Sequence, residues 1–265
     1  MKFSPIKIAA ALAVLASTAS FAQTKAPEPD YTLAYNVGVV TDYRFRGISQ
    51  TSTKPALQLG VDFAHKNGFY LGAFGSNVKW IKDFNGSTKG SYEIDLYGGF
   101  KGSITKDVGF DLGLITYQYP GNNSGAAGTL GAGAYSNANT TEIYGALTYS
   151  VATLKYNRSI GNYLGFLKSS GSEYFDLSAN FDLGSGFTLT PHAGLQKIPN
   201  QGPIGKSGNY ADYALTLGKD FGNGFSGTAA VIGTNAKSGP NSFYRDFNGK
   251  FIGNSTVVVG AKYSF

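Results

Sequence analysis

The sequence contains no cysteine, only two histidines and one tryptophan, and a single methionine, the initiator. Without cysteine there are no disulfides, no thiol nucleophile, no lipid-attachment cysteine and no cysteine ligand for a metal. His65 and His192 lie far apart, and no histidine or aspartate cluster has the spacing of metal ligands. The composition therefore excludes thiol chemistry, and we expect neither a metal nor a cofactor.

Long hydrophobic runs are also missing. The apolar stretch at residues 8–16 follows Lys2 and Lys7 and precedes the small residues at 20–22, a pattern typical of a secretory signal that is cut before Gln23. The stretch is far shorter than the roughly 20 residues that a spanning helix needs. We predict a signal peptide over 1–22, a periplasmic tether over 23–30, a single barrel domain over 31–265 and no transmembrane helix.

Charge is sparse, with 22 Lys and Arg, 16 Asp and Glu, and a formal net charge of +6 that falls to +4 once the two signal lysines are removed. No basic stripe alternates with stacking aromatics, so the chain is not expected to bind nucleic acid. Glycine, tyrosine and phenylalanine are abundant instead, with 37, 18 and 19 residues. This composition favours a curved β-sheet with aromatic girdles.

Period-two alternation is the strongest signal in the chain. The last segment places Val257, Val259, Tyr263 and Phe265 on one face and small or polar residues on the other, which is typical of a strand. Segments of this kind, each near the ~10 residues of a tilted membrane strand, occur about twelve times: 31–44, 55–65, 69–80, 92–102, 108–119, 141–150, 152–160, 173–183, 187–197, 210–221, 225–235 and 255–265.

The connections between these segments alternate in length. Five are tight and rich in turn residues, namely 66–68, 103–106, 150–151, 184–186 and 222–224. The six between them are long and polar, notably 120–140 and 236–254. Outer-membrane barrels sort short periplasmic turns from long external loops in this way, whereas a soluble sandwich does not. We therefore predict a closed antiparallel up-and-down transmembrane β-barrel of about 12 strands with periplasmic termini.

The same alternation assigns the two faces of the wall. In the first strand it directs Leu33, Tyr35, Val39, Tyr43 and Phe45 to lipid. Asn36 and the charged Asp42, Arg44 and Arg46 then face the lumen. A polar interior and an apolar exterior are expected throughout the barrel.

Charged inward positions are the candidate pore-lining residues. Glu93, Asp95, Glu142, Asp176 and Asp212 begin strands that run down from the external rim. The first strand supplies Asp42 and the basic pair Arg44 and Arg46. Opposed acidic and basic walls would create a selective constriction. Alternatively, the charges pair across a narrow lumen and plug it, because a barrel of about twelve strands lies between filled and open barrels.

The external loops are predominantly basic. Their cations attract either anionic solutes or the phosphates of lipopolysaccharide, and the second is the simpler interpretation. Only Asp83 and Asp246 oppose the basic residues Lys54, Lys79, Lys82, Lys89, Arg158, Lys168, Lys197, Lys206, Lys237, Arg245 and Lys250.

Several sequence blocks together form a recognisable pattern. The longest is Asp42-Tyr43-Arg44-Phe45-Arg46-Gly47-Ile48-Ser49-Gln50-Thr51, and others are Pro55-Ala56-Leu57-Gln58, Gly68-Phe69-Tyr70-Leu71-Gly72, Gly75-Ser76-Asn77-Val78, Asp95-Leu96-Tyr97-Gly98-Gly99 and Tyr119-Pro120-Gly121. These blocks resemble the TorF family of porin-like proteobacterial outer-membrane proteins. Thr41 replaces the usual serine of the family, and Phe74 replaces a frequent tryptophan. The resemblance implies an outer-membrane barrel and a channel.

Passive diffusion of small hydrophilic solutes is the expected function. The alternative is a closed structural or adhesive barrel that acts through its external loops. An enzyme such as a lipid hydrolase is not expected, because there is no Gly-x-Ser-x-Gly motif, His65 lies at a periplasmic turn, and His192 is an inward residue suited to hydrogen bonding. Expected partners are outer-membrane lipid, lipopolysaccharide, small polar solutes and the barrel assembly machinery, which would recognise the strand that ends at Phe265.

Overall fold

The structure is a computed structural model that describes residues 29–201 and 207–265. The predicted signal peptide, most of the predicted tether and Lys206 lie outside the described residues. Among the described residues, no helix has the length and apolar character that a membrane crossing requires.

Strands account for nearly all of the regular structure. In chain order the elements are β1 (Tyr31–Val40), β2 (Arg44–Phe45), β3 (Ile48–Ser49), β4 (Ala56–His65), β5 (Phe69–Asn77), α1 (Trp80–Asp83), β6 (Tyr92–Ser103), β7 (Val108–Gln118), β8 (Thr140–Tyr149), β9 (Ala152–Ser159), β10 (Glu173–Ala179), β11 (Phe181–Gly184), β12 (Phe187–Lys197), β13 (Tyr210–Gly222), β14 (Phe225–Thr234) and β15 (Thr256–Ser264).

Antiparallel pairing closes these strands into a barrel. Each barrel strand pairs with its neighbours in sequence, and β1 pairs with both β4 and β15. Because β10 and β11 both pair with β12, they form one barrel strand that is interrupted at Asn180. The β2–β3 hairpin is separate from the wall. The predicted closed barrel of twelve antiparallel strands is confirmed.

The first and last strands close the ring in a fixed register. Val37 lies opposite Tyr263, and Asn36 lies opposite Ser264. The backbones of Tyr35 and Phe265 exchange two hydrogen bonds of 2.9 Å, and their rings stack with centroids 5.8 Å apart. Aromatic stacking on the outer face therefore reinforces the pairing that leaves the sheet without a free edge.

The connections sort by rim as the sequence predicts. Tight turns at one rim use left-handed residues, as at Ser185–Gly186 (φ 52° and 77°) and Asn223–Gly224 (φ 52° and 82°), which suits the twist of two-residue hairpins. The other rim carries the long connections 41–55, 78–91, 119–139, 160–172, 198–209 and 235–255. Tyr31 lies opposite His65 beside a tight turn, so β1 starts at the short-turn rim.

The outer wall is apolar and exposed. Leu59, Leu71 and Val257 are 54%, 64% and 62% exposed, although each belongs to a well-paired strand. Alternate positions of the wall face inward and include polar residues, such as Asn36 in β1 and Gln58 and Asp62 in β4. Such a surface is stable only where hydrocarbon surrounds the barrel.

Two predicted strand ends are wrong, and both errors occur at the long-loop rim. β1 ends at Val40 rather than at residue 44, and Tyr43 and Phe45 point into the barrel instead of toward lipid. Here the chain leaves the wall and turns inward to form the β2–β3 hairpin. β5 ends at Asn77 rather than at Trp80, because Trp80 begins α1 and is buried.

A loop cluster of buried apolar residues fills the long-loop end of the barrel. Side chains from the hairpin and the long loops pack there against inward residues of the strands, with partial help from Tyr43 and Phe45. The cluster consists of Ile48, Val78, Trp80, Ile81, Phe84, Tyr117, Tyr119, Ala138, Tyr163, Leu164, Phe166, Ile198, Tyr210, Tyr244 and Ile252.

The uncharged loop 120–140 also packs onto this end. Tyr119, which precedes the loop, and Ala138, within it, belong to the loop cluster, and the Leu130 amide donates to the carbonyl of Gly86 at 3.1 Å. The Leu130 side chain nevertheless remains 74% exposed. The loop therefore folds over the barrel mouth and presents an apolar tip to the outside.

Candidate pore interior

All eight candidate pore-lining residues lie in the barrel interior. Five strand acids and Asp42 face inward, and the hairpin carries the two arginines. Most are buried: the residues that are at most 9% exposed are Asp42, Arg46, Glu93, Asp95, Glu142 and Asp212. The remaining two, Arg44 and Asp176, border an internal cavity.

Arg46 joins the hairpin to the opposite wall. Its Nη2 donates to Glu142 Oε2 at 2.6 Å, and its Nη1 donates to Gln196 Oε1 at 2.9 Å. The guanidinium also lies 4.2 Å from the ring centroid of Tyr174. The basic and acidic walls are thus not separated by solvent at this position, because one arginine spans the gap. A buried pair of this kind is costly to break, since a lone charge remains.

Arg44 and Asp42 shape the hairpin itself. Arg44 Nε donates to Asp42 Oδ2 at 2.6 Å, and Asp42 Oδ1 accepts from Ser49 Oγ at 2.6 Å. Arg44 Nη1 donates to the carbonyls of Gly47 and Asn254, both at 2.9 Å. The remaining nitrogen, Nη2, is buried without an acceptor among the described residues. Asp42 and Arg44 therefore hold the inward turn together and leave one donor unused.

Glu93 anchors the start of the hairpin. The Tyr43 hydroxyl donates to Glu93 Oε1 at 2.6 Å. Burial, and then the negative charge of Glu93, raise the pKa of the Tyr43 hydroxyl well above its ordinary value, so the phenol is a neutral donor. The neighbouring Asp95 is also buried, and its Oδ1 has no partner among the described residues.

His192 lies between two of the predicted acids. Its Nδ1 is 3.2 Å from Asp176 Oδ2, and its Nε2 is 2.8 Å from Asp212 Oδ2. Tyr174 donates to Asp212 Oδ1 at 3.0 Å. A catalytic triad needs one ring nitrogen facing a nucleophile, whereas here carboxylates occupy both. His192 is therefore a hydrogen-bonding residue of the lumen wall.

Tyrosine–aspartate pairs line the short-turn half of the lumen. Tyr70 and Tyr97 donate to Asp111 and Asp62, each at 2.5 Å. Tyr70 also contacts the hydroxyl of Tyr144. The alternation of the sequence does not predict these pairs, because each one joins inward residues of two strands that are separated by a third strand.

Glycine–tyrosine pairs accompany them in the wall. A Cβ built at Gly72 would lie 2.3 Å from ring atoms of Tyr97, and one at Gly113 would lie 2.6 Å from the ring of Tyr144. Each ring therefore lies flat in the space that the missing side chain of a neighbouring strand leaves. The arrangement keeps bulky residues close to the wall.

A lumen chamber lies against the inner side of the hairpin. Its volume is about 320 Å³. The polar lining residues come from the hairpin and from β9, β10, β12 and β13, and they are Arg44, Arg46, Lys155, Asn157, Tyr174, Asp176, His192 and Asp212. Within the described ranges, no three His, Asp or Glu residues are grouped so as to hold a metal ion.

One solved porin structure supports the fold, and two further outer-membrane proteins match less well. The chain is similar to the structure of NanC porin in a rhombohedral crystal form, with a TM-score of 0.54, 9% sequence identity, and coverage of 88% of this chain and 99% of that chain. It also matches the Acinetobacter baumannii outer membrane protein Omp33 at a TM-score of 0.45 and 8% identity, covering 89% of this chain and 98% of that one. The match to OccAB3 from Acinetobacter baumannii has a TM-score of 0.42 and 15% sequence identity, and it covers 91% of this chain and 66% of that chain.

Sequence comparison identifies a family without an assigned activity. No curated protein sequence matches the chain. A family model does match, and it covers residues 24–265, which include every strand of the barrel. The chain belongs to the family described as "Bacterial protein of unknown function (Gcw_chp)".

Proposed function

We propose that the protein is an outer-membrane channel for the passive diffusion of small hydrophilic solutes. The observation that carries the proposal is a closed barrel with an exposed apolar exterior and cavities in a polar lumen. The polar residues that line a second cavity, of about 300 Å³, are Asn36, Gln58, Ser226, Thr228 and Lys262. A purely structural barrel has no need of polar space inside its wall.

The hairpin and the loop cluster are the gate of this channel. They fill the long-loop end, and Arg46 ties them to Glu142 on the wall. Solutes therefore cross only when the hairpin moves away from the wall and opens the long-loop end. The eight residues named from the sequence act at this level, some as gate contacts and some, such as Asp176 and Asp212, as lining of the chamber beneath it.

The surroundings of the barrel follow from the same proposal. The short-turn rim and the N- and C-terminal ends of the barrel domain's chain face the periplasm. The basic long-loop rim contacts lipopolysaccharide phosphates. Some rim cations already have protein partners, as in the 3.2 Å pair of Lys79 with Asp83. The last strand, β15, is the segment that the barrel assembly machinery recognises. The TorF porin-like resemblance agrees with this placement, and we assign no catalytic activity.

Conductance tests the channel directly. Purified protein in a planar bilayer is expected to show discrete open steps in potassium chloride, and a variant without the hairpin is expected to show larger ones. The competing function is a closed barrel that acts through its external loops, which the densely packed loop cluster favours. An absence of conductance for both the natural protein and the hairpin-free variant would refute the channel and favour the closed barrel.

A further inference from the structure

We infer that the lumen chamber is a binding site for a small hydroxylated carboxylate. The inference rests on the proposed function and specifies the class of solute that the channel selects. Three residues that border this cavity carry the inference, namely Arg44, Lys155 and Asn157. Each has a polar atom without a hydrogen-bond partner among the described residues: a guanidinium nitrogen, an ammonium and an amide oxygen.

Arg44 supplies the first donor. Its side chain is only 2% exposed, and its Nη2 has no acceptor among the described residues. A buried guanidinium nitrogen without a hydrogen bond is unfavourable, and a carboxylate oxygen is a strong acceptor for it. Because Nε and Nη1 are held by Asp42 and by backbone carbonyls, the free nitrogen is fixed in position.

Lys155 supplies the second cation. Its ammonium lies 3.8 Å from the ring centroid of Tyr144, and no carboxylate in the described part of the chain lies within 4.0 Å of it. The acids of the chamber are otherwise engaged, since Asp176 and Asp212 share His192. Lys155 therefore presents to the cavity a positive charge that has no paired carboxylate, and this charge favours an anionic ligand.

Asn157 adds a requirement for a donor on that ligand. Its Oδ1 is buried and without a partner in residues 29–201 and 207–265. A ligand hydroxyl would satisfy it, whereas a plain carboxylate would not. The chamber volume of about 320 Å³ lies at the lower end of the roughly 300–1,000 Å³ usual for small-molecule sites, which suits a ligand of sugar-acid size.

Gluconate is the probe, and glucose is its uncharged match. Titration calorimetry on the full-length refolded barrel in detergent is expected to show gluconate binding at least about tenfold tighter than glucose, since a charge-assisted hydrogen bond contributes that much or more. Acetate, which lacks hydroxyls, is expected to bind more weakly than gluconate. Equal affinities for gluconate and glucose would overturn the inference.

Lys155→Met is the main variant, because methionine retains the apolar stem. We expect it to weaken gluconate binding about tenfold. Lys262→Met is the matched control, since Lys262 borders the other cavity, and its affinity for gluconate is expected to be unchanged. Arg44→Lys is a second variant whose folding is checked by circular dichroism. Equal losses in Lys155→Met and Lys262→Met would show a general charge effect and overturn the site.

Binding in detergent and conductance in a bilayer fail independently. A barrel that conducts but binds gluconate no better than glucose refutes the chamber ligand and leaves the channel standing. A barrel that binds gluconate through Lys155 but never conducts supports the site and refutes the channel.

Discussion

At the scale of single residues, Arg46 carries the most consequence. Its pair with Glu142 is buried on both sides, with side chains 5% and 0% exposed. We predict that Arg46→Ala lowers the free energy of unfolding by about 3–5 kcal/mol, because Glu142 is left as an uncompensated buried charge. The same change is expected to raise the open probability in bilayers. Denaturant unfolding in detergent and single-channel recording measure the two effects.

Arg158 provides a matched control for that prediction. It pairs with Glu173 at 2.8 Å, but its side chain is 49% exposed. Arg158→Ala is expected to lower the free energy of unfolding much less than Arg46→Ala does, because solvent screens an exposed pair. The double change Arg46→Ala with Glu142→Gln is expected to recover part of the loss. Similar losses of unfolding free energy in Arg46→Ala and Arg158→Ala would contradict the stabilising role of the buried Arg46–Glu142 pair.

Gly72 is the second position where one residue decides local structure. The three atoms closest to an added Cβ there all belong to the Tyr97 side chain, at 2.3–2.5 Å. Gly72→Ala is expected to displace the ring, break its hydrogen bond to Asp62 and destabilise the barrel by about 1–3 kcal/mol. Thermal or denaturant unfolding measures the effect. Gly109→Ala, whose added Cβ meets its nearest atom at 3.6 Å, is the control and should be close to neutral.

At the scale of elements, the β2–β3 hairpin lies outside the hydrogen-bonded wall of the barrel. Val40 lies directly opposite Ala56 in the register of β1 and β4, so a two-residue Asn-Gly turn can replace 41–55. We predict that this variant still folds as a barrel and conducts in larger steps. Its electrophoretic mobility with and without boiling reports folding, and bilayer recording reports the step size.

Shortening another long loop separates a specific effect from a general one. Excision of 126–134, most of which is exposed, leaves the hairpin in place and is expected to leave the step size unchanged. If both excisions enlarge the steps equally, then the loops as a group, and not the hairpin, close the barrel.

The elements also show what a sequence reveals about such a fold. The twelve strands and the sorting of turns were predictable, because period-two alternation reports a wall with different environments on its two sides. The hairpin was not predictable from the sequence, because Tyr43 and Phe45 continue the alternation of β1 after the chain has left the wall. An aromatic residue that packs in a loop cluster has the same pattern as one that faces lipid. Inward placement of the acids followed from alternation, whereas their partners did not, since pairing across the lumen depends on where the hairpin turns.

At the scale of the whole molecule, the absence of cysteine makes orientation measurable. Leu130→Cys introduces a thiol at an exposed tip of the long-loop rim, and Asn223→Cys introduces one in a tight turn. An impermeant maleimide added to intact cells is expected to label Leu130→Cys only. Asn223→Cys should react after the outer membrane is permeabilised. Labelling in the reverse order would invert the proposed orientation.

The glycine–tyrosine pairs of the lumen restrict how such a barrel can evolve. Because Tyr97 lies in the space left by Gly72, a mutation at either position alone produces a clash or a void. The width of the short-turn half of the lumen is thus determined by pairs of residues that must change together, and not by single residues. Among descendants of this chain, Gly72 and Tyr97 should be replaced together or not at all, and the same holds for Gly113 and Tyr144.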